Sequence, residues 1–333
     1  MSSQRSSRFV GLLFVDIALS CSALPLGATE QSYPNRLIKI IYSEVAGGPS
    51  DIITRAIANK MSISLKQPIV IENRPGAGGN VGAEAIARAR PDGYTLGVVL
   101  GTTLTVNPSV YKKLPFDPDK DFRPLSIITT SGNMLVVHPS VPINSVAEFV
   151  AYAKAAAARK ESIAYASGGV GTPGHLVMEN FRVRAGFEAI HVPYRGNAPM
   201  VVDLVAGQVK FGFVTSAGMM DHVQAGRLKA LGVARASRSP LAPEVPTIAE
   251  SGYSGFRVEN YTVMLAPAGL PELIAALLQR EVQAALKHAD IIERLRAMDS
   301  TPVGMIGPEV QARLKADRDA WSTAVATANM RID

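Results

Sequence analysis

The chain has 333 residues, 47% of them hydrophobic, a single cysteine and a formal net charge of +6. That length and apolar content suffice for a real core divided between two domains, which excludes a disordered chain. The lysines and arginines are scattered, without basic runs or aromatic interleaving, which excludes a nucleic-acid partner.

Residues 1–28 read as a secretory signal peptide, because Arg5 and Arg8 precede an apolar run over 9–19 and Ala23 or Ala28 offers a cleavage flank. Asp16 interrupts the run, which is also too short for a membrane span. Cys21 lacks the leucine three residues earlier that marks a lipid attachment site, so lipid anchoring is not expected. The exported chain then has no thiol, and disulfides, thiolate catalysis and cysteine metal sites are excluded.

From residue 33 the pattern is strand, turn, helix, repeated. Residues 37–41 form a short β-prone run, and Ile52, Ile53, Ala56, Ile57 and Met61 carry helical spacing beyond it. Further strands are predicted at 69–71 and 95–100, with a helix at 81–90, and this alternation argues a parallel α/β sheet. A second unit begins at the strand 134–137, followed by a capping box at Ser145 and Glu148 opening a helix with Phe149, Tyr152 and Ala156 on one face. Strands at 162–166, 190–192, 209–214 and 229–233 alternate with helices at 174–184, 198–206 and 217–225, the last two stopped by Gly207 and Gly226. A strand at 258–265, a turn at 267–271 and two long helices finish the chain. One aligns Ile274, Leu278, Val282 and Leu286; the other aligns Val310, Leu314, Trp321 and Val325, with Trp321 as a core anchor.

Two glycine turns carry the chemistry. In the first, Tyr-Ser-Glu-Val-Ala-Gly-Gly-Pro-Ser-Asp over 42–51, Gly47 and Gly48 let a ligand approach the backbone. The helix start there presents unpaired N–H groups and the positive end of the helix dipole, and such a turn suits an anion. An ordinary capped turn, with Ser50 or Asp51 as N-cap, is the competing reading. The second turn, Ser167-Gly-Gly-Val-Gly-Thr172-Pro173, repeats the geometry, with Thr172 as N-cap and Pro173 opening the helix. Ligands in open α/β sheets sit beyond the carboxyl ends of strands, so two such turns in two units predict an interdomain anion site. Gly101, Thr102 and Thr103, with Asn107, offer hydroxyls on the same rim, and Tyr194 and Arg195 follow another strand end.

Other motifs are set aside. The glycines of 76–82 superficially match a dinucleotide fingerprint, but Asn73-Arg74-Pro75 separates them from the second strand and no acidic residue ends a strand about 20 residues on, so a tight packing turn is expected. Histidines 138, 175, 191, 222 and 288 lack metal-ligand spacing, and no Gly-x-Ser-x-Gly elbow is present. Neither a metal nor another cofactor is expected.

The stretches AGGPSD (46–51), IENRPGAGGNVGAEAIARARPDGYTL (71–96), NPSVYKKLPFDPDKDF (107–122), VVHPSVP (136–142), HVPYRGNAP (191–199), EVPTIAESG (244–252) and LAPAGLP (265–271) resemble the Bug family. These are the extracytoplasmic substrate-binding proteins of tripartite tricarboxylate transporters. The resemblance covers nearly the whole chain after residue 33. It implies a two-domain α/β type II periplasmic-binding-protein fold (Venus flytrap), with the ligand cleft between the domains. Domain 1 would be discontinuous, 33–132 plus 255–333, and domain 2 would be 133–254, with hinge crossings near 130–134 and 253–260. It further implies a periplasmic, monomeric, non-enzymatic protein that captures a small organic carboxylate or amino-acid-like ligand. Transporter subunits or a sensor kinase in the membrane would be its partners.

The family's two ligand loops fall on 46–51 and 167–172. Together with the residue-level reading, they make the candidate ligand-binding set Glu44, Ala46, Gly47, Gly48, Asp51, Thr102, Thr103, Ser167, Gly168, Gly169, Gly171, Thr172 and Tyr194. The chain departs from the family where a proline and an aromatic residue usually stand, with Ser43 and Glu44, and Pro173-Gly174 occupies the place of a usual serine. Glu44 is expected either to turn away from the cleft or to pair with a positive group on the ligand. The runner-up function is an enzyme acting on a small acidic substrate in the same cleft, with Asp51 or Glu44 as base.

Overall fold

The computed structural model describes residues 33–216 and 219–327; the signal segment expected over 1–28, with Cys21, lies outside them. In chain order the first elements are β1 (Ile38–Tyr42), α1 (Pro49–Leu65), β2 (Ile69–Asn73), α2 (Asn80–Ala87), β3 (Thr95–Leu100), α3 (Gly101–Thr105), α4 (Asn107–Val110) and β4 (Phe122–Ser131). There follow β5 (Asn133–Val137), α5 (Val146–Ala158), β6 (Ile163–Ser167), α6 (Pro173–Ala185), β7 (Ala189–Pro193), α7 (Asn197–Val205), β8 (Phe211–Thr215), α8 (Met220–Gln224) and β9 (Lys229–Val233). The chain closes with β10 (Asn260–Pro267), α9 (Glu272–Leu286), α10 (Ala289–Ala297), β11 (Ser300–Ile306) and α11 (Pro308–Thr327).

These strands form two sheets, ordered β11-β4-β10-β3-β1-β2 and β7-β6-β8-β5-β9. Both are mixed, which corrects the expectation of parallel sheets. Parallel pairing holds for β2-β1-β3 and for β7-β6-β8, where a helix connects strand to strand. β10 instead runs antiparallel to both β3 and β4, and β5 runs antiparallel to β8 and β9. The predicted pattern also lacked β4, β11 and α10. Pro124 sits inside β4 opposite Leu265, beside a register shift that accommodates the missing N–H donor. β11 contains Pro302 and Gly304, pairs only with β4, and shifts register between Pro302 and Met305, as an edge strand can.

Burial follows the side-chain periods. β1 is buried at Ile38, Ile40, Ile41 and Tyr42, so its two faces feed two cores: Ile38 and Ile40 pack with α1 and α9, and Ile41 packs with Ala83, Ile86 and Leu314. The second sheet has an aromatic core. Phe181 makes edge contacts with Phe187, Phe213, Tyr253 and Phe256 at centroid distances of 5.0–5.9 Å. Such geometry adds to plain area burial.

The chain passes between sheets twice, at Gly132 and on the return to Asn260. Asn133 and Asn260 clamp the two passages side by side, each donating its Nδ2 to the other's Oδ1 at 3.1 and 3.2 Å.

Candidate functional site

The first glycine turn leaves β1 and opens α1 at Pro49, with Gly48 as N-cap and no side-chain cap, so neither Ser50 nor Asp51 caps the helix. Asp51 does other work. It is 2% exposed and accepts from Gly47 N–H at 2.9 Å, from Arg55 Nε at 2.9 Å and Nη2 at 3.1 Å, and from Asn73 Nδ2 at 3.2 Å. Burial by itself would push its carboxyl up, but the hydrogen bonds from Arg55, Gly47 and Asn73 hold it below the ordinary range. Asn73 Nδ2 also donates to the Glu44 carbonyl at 3.1 Å, so the turn is tied down at both ends from beneath. Gly47 has φ +87°, and a Cβ built on it meets nothing within 4 Å, so the front of the turn is open. Ala46 is exposed and Gly48 is half-buried beside it.

The turn after β2 packs against this one from behind. A Cβ on Gly82 would lie 2.7 Å from Ser43 Cα, which is the close packing expected of that glycine run. α3 fixes the same region from the other side: Thr103, fully buried, donates to the Gly78 carbonyl at 3.1 Å, and Asn107 Nδ2 donates to Gly78 and to Asn80 Oδ1 at 2.9 and 2.7 Å.

Thr102 faces elsewhere. With Thr105, Pro173, Leu176, Tyr261 and Trp321 it lines a cavity of about 130 Å³ between α3, α6, α11 and residues 257–261. Trp321 is only partly buried there, against Val106, Val110, Leu176 and Val325, so it closes a contact between α6 and the first sheet's helices rather than anchoring a core.

The second glycine turn is braced by a network that local spacing did not show. Ser167 is fully buried at the end of β6; its Oγ accepts from Gly169 N–H at 3.1 Å and lies 2.6 Å from His191 Nε2. Thr172, the N-cap of α6, donates its hydroxyl to the Gly169 carbonyl at 2.7 Å, and Gly171 N–H donates to His175 Nδ1 at 3.1 Å. The His175 and His191 rings stack at 4.0 Å, Tyr165 stacks on His191 at 4.9 Å, and the Tyr165 hydroxyl donates to Glu179 at 2.6 Å.

The turn is also zippered to the loop after β7, through Tyr194 N–H to the Ser167 carbonyl and Gly196 N–H to the Gly168 carbonyl, both at 2.9 Å. The Tyr194 phenol donates to Asp203 at 2.7 Å, and burial followed by that hydrogen bond pushes it up to about 12. Gly168, Gly169 and Gly171 are half-buried, with φ +137° at Gly169 and +77° at Gly171. Gly174 is obligatory for packing, because a Cβ there would sit 2.2 Å from the Phe213 carbonyl.

His175 and His191 were the functional-region residues missed. The register pairs Tyr165 with His191, and His175 lies in the first turn of α6, so the signal was three-dimensional. Burial, then the neighbouring His175, pushes His191 down from 6.5 to about 4, and burial also lowers His175. A folded-state pKa below the unfolded one means that the unfolded chain binds the proton first as pH falls. Stability should therefore be complete above pH 6.5 and decline toward pH 4, by about 2–3 kcal/mol after discounting partial exposure. Urea midpoints from pH 7.5 to 4.5 measure this decline. His191→Asn should flatten the profile, and an identical slope in that variant would contradict the assignment.

A model of the family described as tripartite tricarboxylate transporter family receptor matches residues 53–328. The structure of the periplasmic binding protein BugD is 30% identical, with TM-score 0.79 over 90% of this chain and 99% of that one. An R. palustris protein solved with adipate is 32% identical, with TM-score 0.81 over 90% of this chain and 99% of that one. MatC from Rhodopseudomonas palustris, solved with bound malate, is 31% identical, with TM-score 0.78 over 88% of this chain and 100% of that one. The two-sheet fold described above is the fold of these periplasmic binding proteins.

Proposed function

Since the chain belongs to the tripartite tricarboxylate transporter receptor family, a family of solute-binding proteins, we propose that it captures a small organic carboxylate outside the cytoplasm and presents it to a tripartite transporter in the membrane. Residues 33–132 with 255–333 form the first domain in this reading, residues 133–254 the second, and Gly132 and residues 258–260 the hinge. The observation that carries the proposal is a repeated one: β1–α1 and β6–α6 each end a strand in a glycine turn and open a helix at a proline. The first-turn N–H groups and helix dipoles there favour an anion. Arg55 is already spent on Asp51, so backbone dipoles rather than that guanidinium meet the ligand.

Ala46, Gly47, Gly48, Gly168, Gly169, Gly171 and Thr172 form the contact surface in this reading, with Tyr194 at its rim, while Asp51, Thr103 and Ser167 hold it from behind. Adipate and malate in two relatives support the ligand class. Binding shifts the population toward closure, because an anion touching both turns gains contacts that the open form lacks.

The Ser167–His191 pair does not favour the enzyme reading, since a nucleophile needs access and Ser167 has no exposed surface. Thermal melts against a panel of mono- and dicarboxylates test the proposal. Binding to the native state adds about 2.7 kcal/mol at a hundred times Kd, which is several degrees in Tm. A shift with NAD or ATP, and none with any carboxylate, would contradict it.

A further inference from the structure

The cavity of about 130 Å³ between α3, α6, α11 and residues 257–261 has no part in carboxylate capture between the two turns, and its polar lining divides into groups that are committed and groups that are not. The charged side chains are committed to one another: Arg313 Nε donates to Asp317 at 2.7 Å, and Arg257 Nη2 donates to Glu259 at 2.8 Å. Thr105 donates to the Gly101 carbonyl at 3.0 Å, and Asn260 is held by Asn133. Three neutral side chains on the wall remain. Tyr261 is 6% exposed, and its hydroxyl is buried without a hydrogen-bond partner. The Thr102 hydroxyl and the Asn180 amide make no hydrogen bond among the described residues. Burial, then the charge of Asp317, pushes the Tyr261 phenol far up, so it stays a neutral donor. A phenol buried that deeply ordinarily has a partner.

The rest of the wall is apolar, with Leu100, Leu176, Val258 and the half-buried Trp321. Water would satisfy the phenol but leave these side chains wet, whereas a molecule with an apolar body displaces that water. A cavity of about 150 Å³ is enough to hold benzene, so this one has room for a single small ring.

We propose that this cavity is a second binding site, separate from the two turns, for a small neutral molecule that carries a hydrogen-bond acceptor on an apolar ring. The acceptor takes the hydrogen of the Tyr261 hydroxyl, Asn180 and Thr102 meet a donor beside it, and the ring packs on Leu176 and Trp321. An ion is disfavoured, because each charge on the wall already has its counter-charge and a further one would lose hydration without gaining a partner. The walls come from α6, which follows the second turn, and from α3 and α11 on the first sheet, with the return passage at 257–260 between them. An occupant is held only while these elements face one another, so it also stiffens the passage. This site goes beyond the proposed function and does not depend on it.

Trp321 is the only tryptophan of the chain, so its fluorescence reads the cavity directly. The probe is δ-valerolactam, a neutral ring with one acceptor and one donor; piperidine hydrochloride, the same ring as a cation without the carbonyl, is the control. Titrated to about 20 mM, ample for a ligand of so few atoms, the lactam should shift Trp321 emission to saturation, and piperidine should not. Amide exchange should slow in peptides spanning 173–180 and 257–262 and stay unchanged over 44–52. Tyr261→Phe should weaken the lactam by about threefold to tenfold, the effect of one neutral hydrogen bond, and leave the Tm of the ligand-free protein unchanged or raised, because no bond is lost. No saturable shift with the lactam, or no protection at 173–180 and 257–262, would mean that the cavity holds water only and would overturn the site. Equal binding of piperidine, or unchanged lactam affinity in Tyr261→Phe, would overturn the neutral-acceptor assignment, and a lowered Tm in that variant would show the phenol already paired and overturn it too. A Trp321 shift with adipate and none with the lactam would place the carboxylate itself in this cavity and overturn both this site and capture between the turns.

Discussion

Replacing Arg235 by methionine should cost the folded protein about 3–5 kcal/mol, because it strands a buried carboxylate beside the passage between the sheets. Arg235 Nη1 donates to Asp299 Oδ1 at 2.9 Å and Nη2 to Thr301 Oγ1 at 3.3 Å, and the two paired side chains are 9% and 1% exposed. Ser239 adds a hydrogen bond to the same oxygen at 2.6 Å, while Asp299 Oδ2 is buried without a partner and has only the guanidinium charge to offset it. The arginine stem also covers Gly132, where a Cβ would lie 2.3 Å from Arg235 Cδ. This pair therefore ties the segment after β9 to the turn between α10 and β11, next to the proposed hinge. Urea unfolding measures the loss. Asp299→Asn added to Arg235→Met should recover much of it, since the stranded charge is then gone. A loss below about 1 kcal/mol in the single variant would mean that water reaches the pair and supports it.

Gly47→Val and Gly169→Val should each weaken carboxylate binding by about a hundredfold or more, equivalent to roughly 2.7 kcal/mol, in protein that still folds. Gly47 at φ +87° and Gly169 at φ +137° occupy backbone regions that a β-branched residue resists. The strain is of order 1–3 kcal/mol, affordable for a chain of this size. Gly47 has open space where its Cβ would go, so the new side chain would stand where the ligand approaches, with the Asp51–Arg55–Asn73 support intact behind it. At Gly169 the nearest obstacle is the Tyr194 carbonyl, 3.1 Å from a Cβ. Calorimetry with a carboxylate that raises Tm, alongside circular dichroism, reads both effects. Unchanged affinity in folded variants would move the site elsewhere, with the cavity beside Thr102 and Trp321 as the next place to look.

Local pattern carried much of this molecule. β3 and β9 fall on their predicted residues, and the capping box at Ser145 forms through Glu148 N–H at 3.1 Å. These are features of short range, where strand alternation and helix caps act within a few residues. What escaped depends on distant partners. β4 hid behind Pro124 because the register shift that tolerates it needs β10, more than a hundred residues on. Asp51 resembled a cap or a ligand group until Asn73 and Arg55 were placed around it. Ser167 and His191 are far apart in sequence, yet the His191 ring stands 2.6 Å from the Ser167 hydroxyl through the pairing of β6 with β7. The glycine turns themselves were legible because their chemistry is backbone chemistry and needs no remote residue to define it.

Amide hydrogen exchange on the protein, with and without a carboxylate that raises Tm, tests the central claim most directly. A ligand held between the two glycine turns should slow exchange in the peptides spanning 44–52 and 167–175 together, with a smaller change at 131–133 and 258–261 as the hinge closes. Protection confined to one turn, or to the cavity lined by Thr102, Leu176 and Trp321, would contradict capture between the two glycine turns.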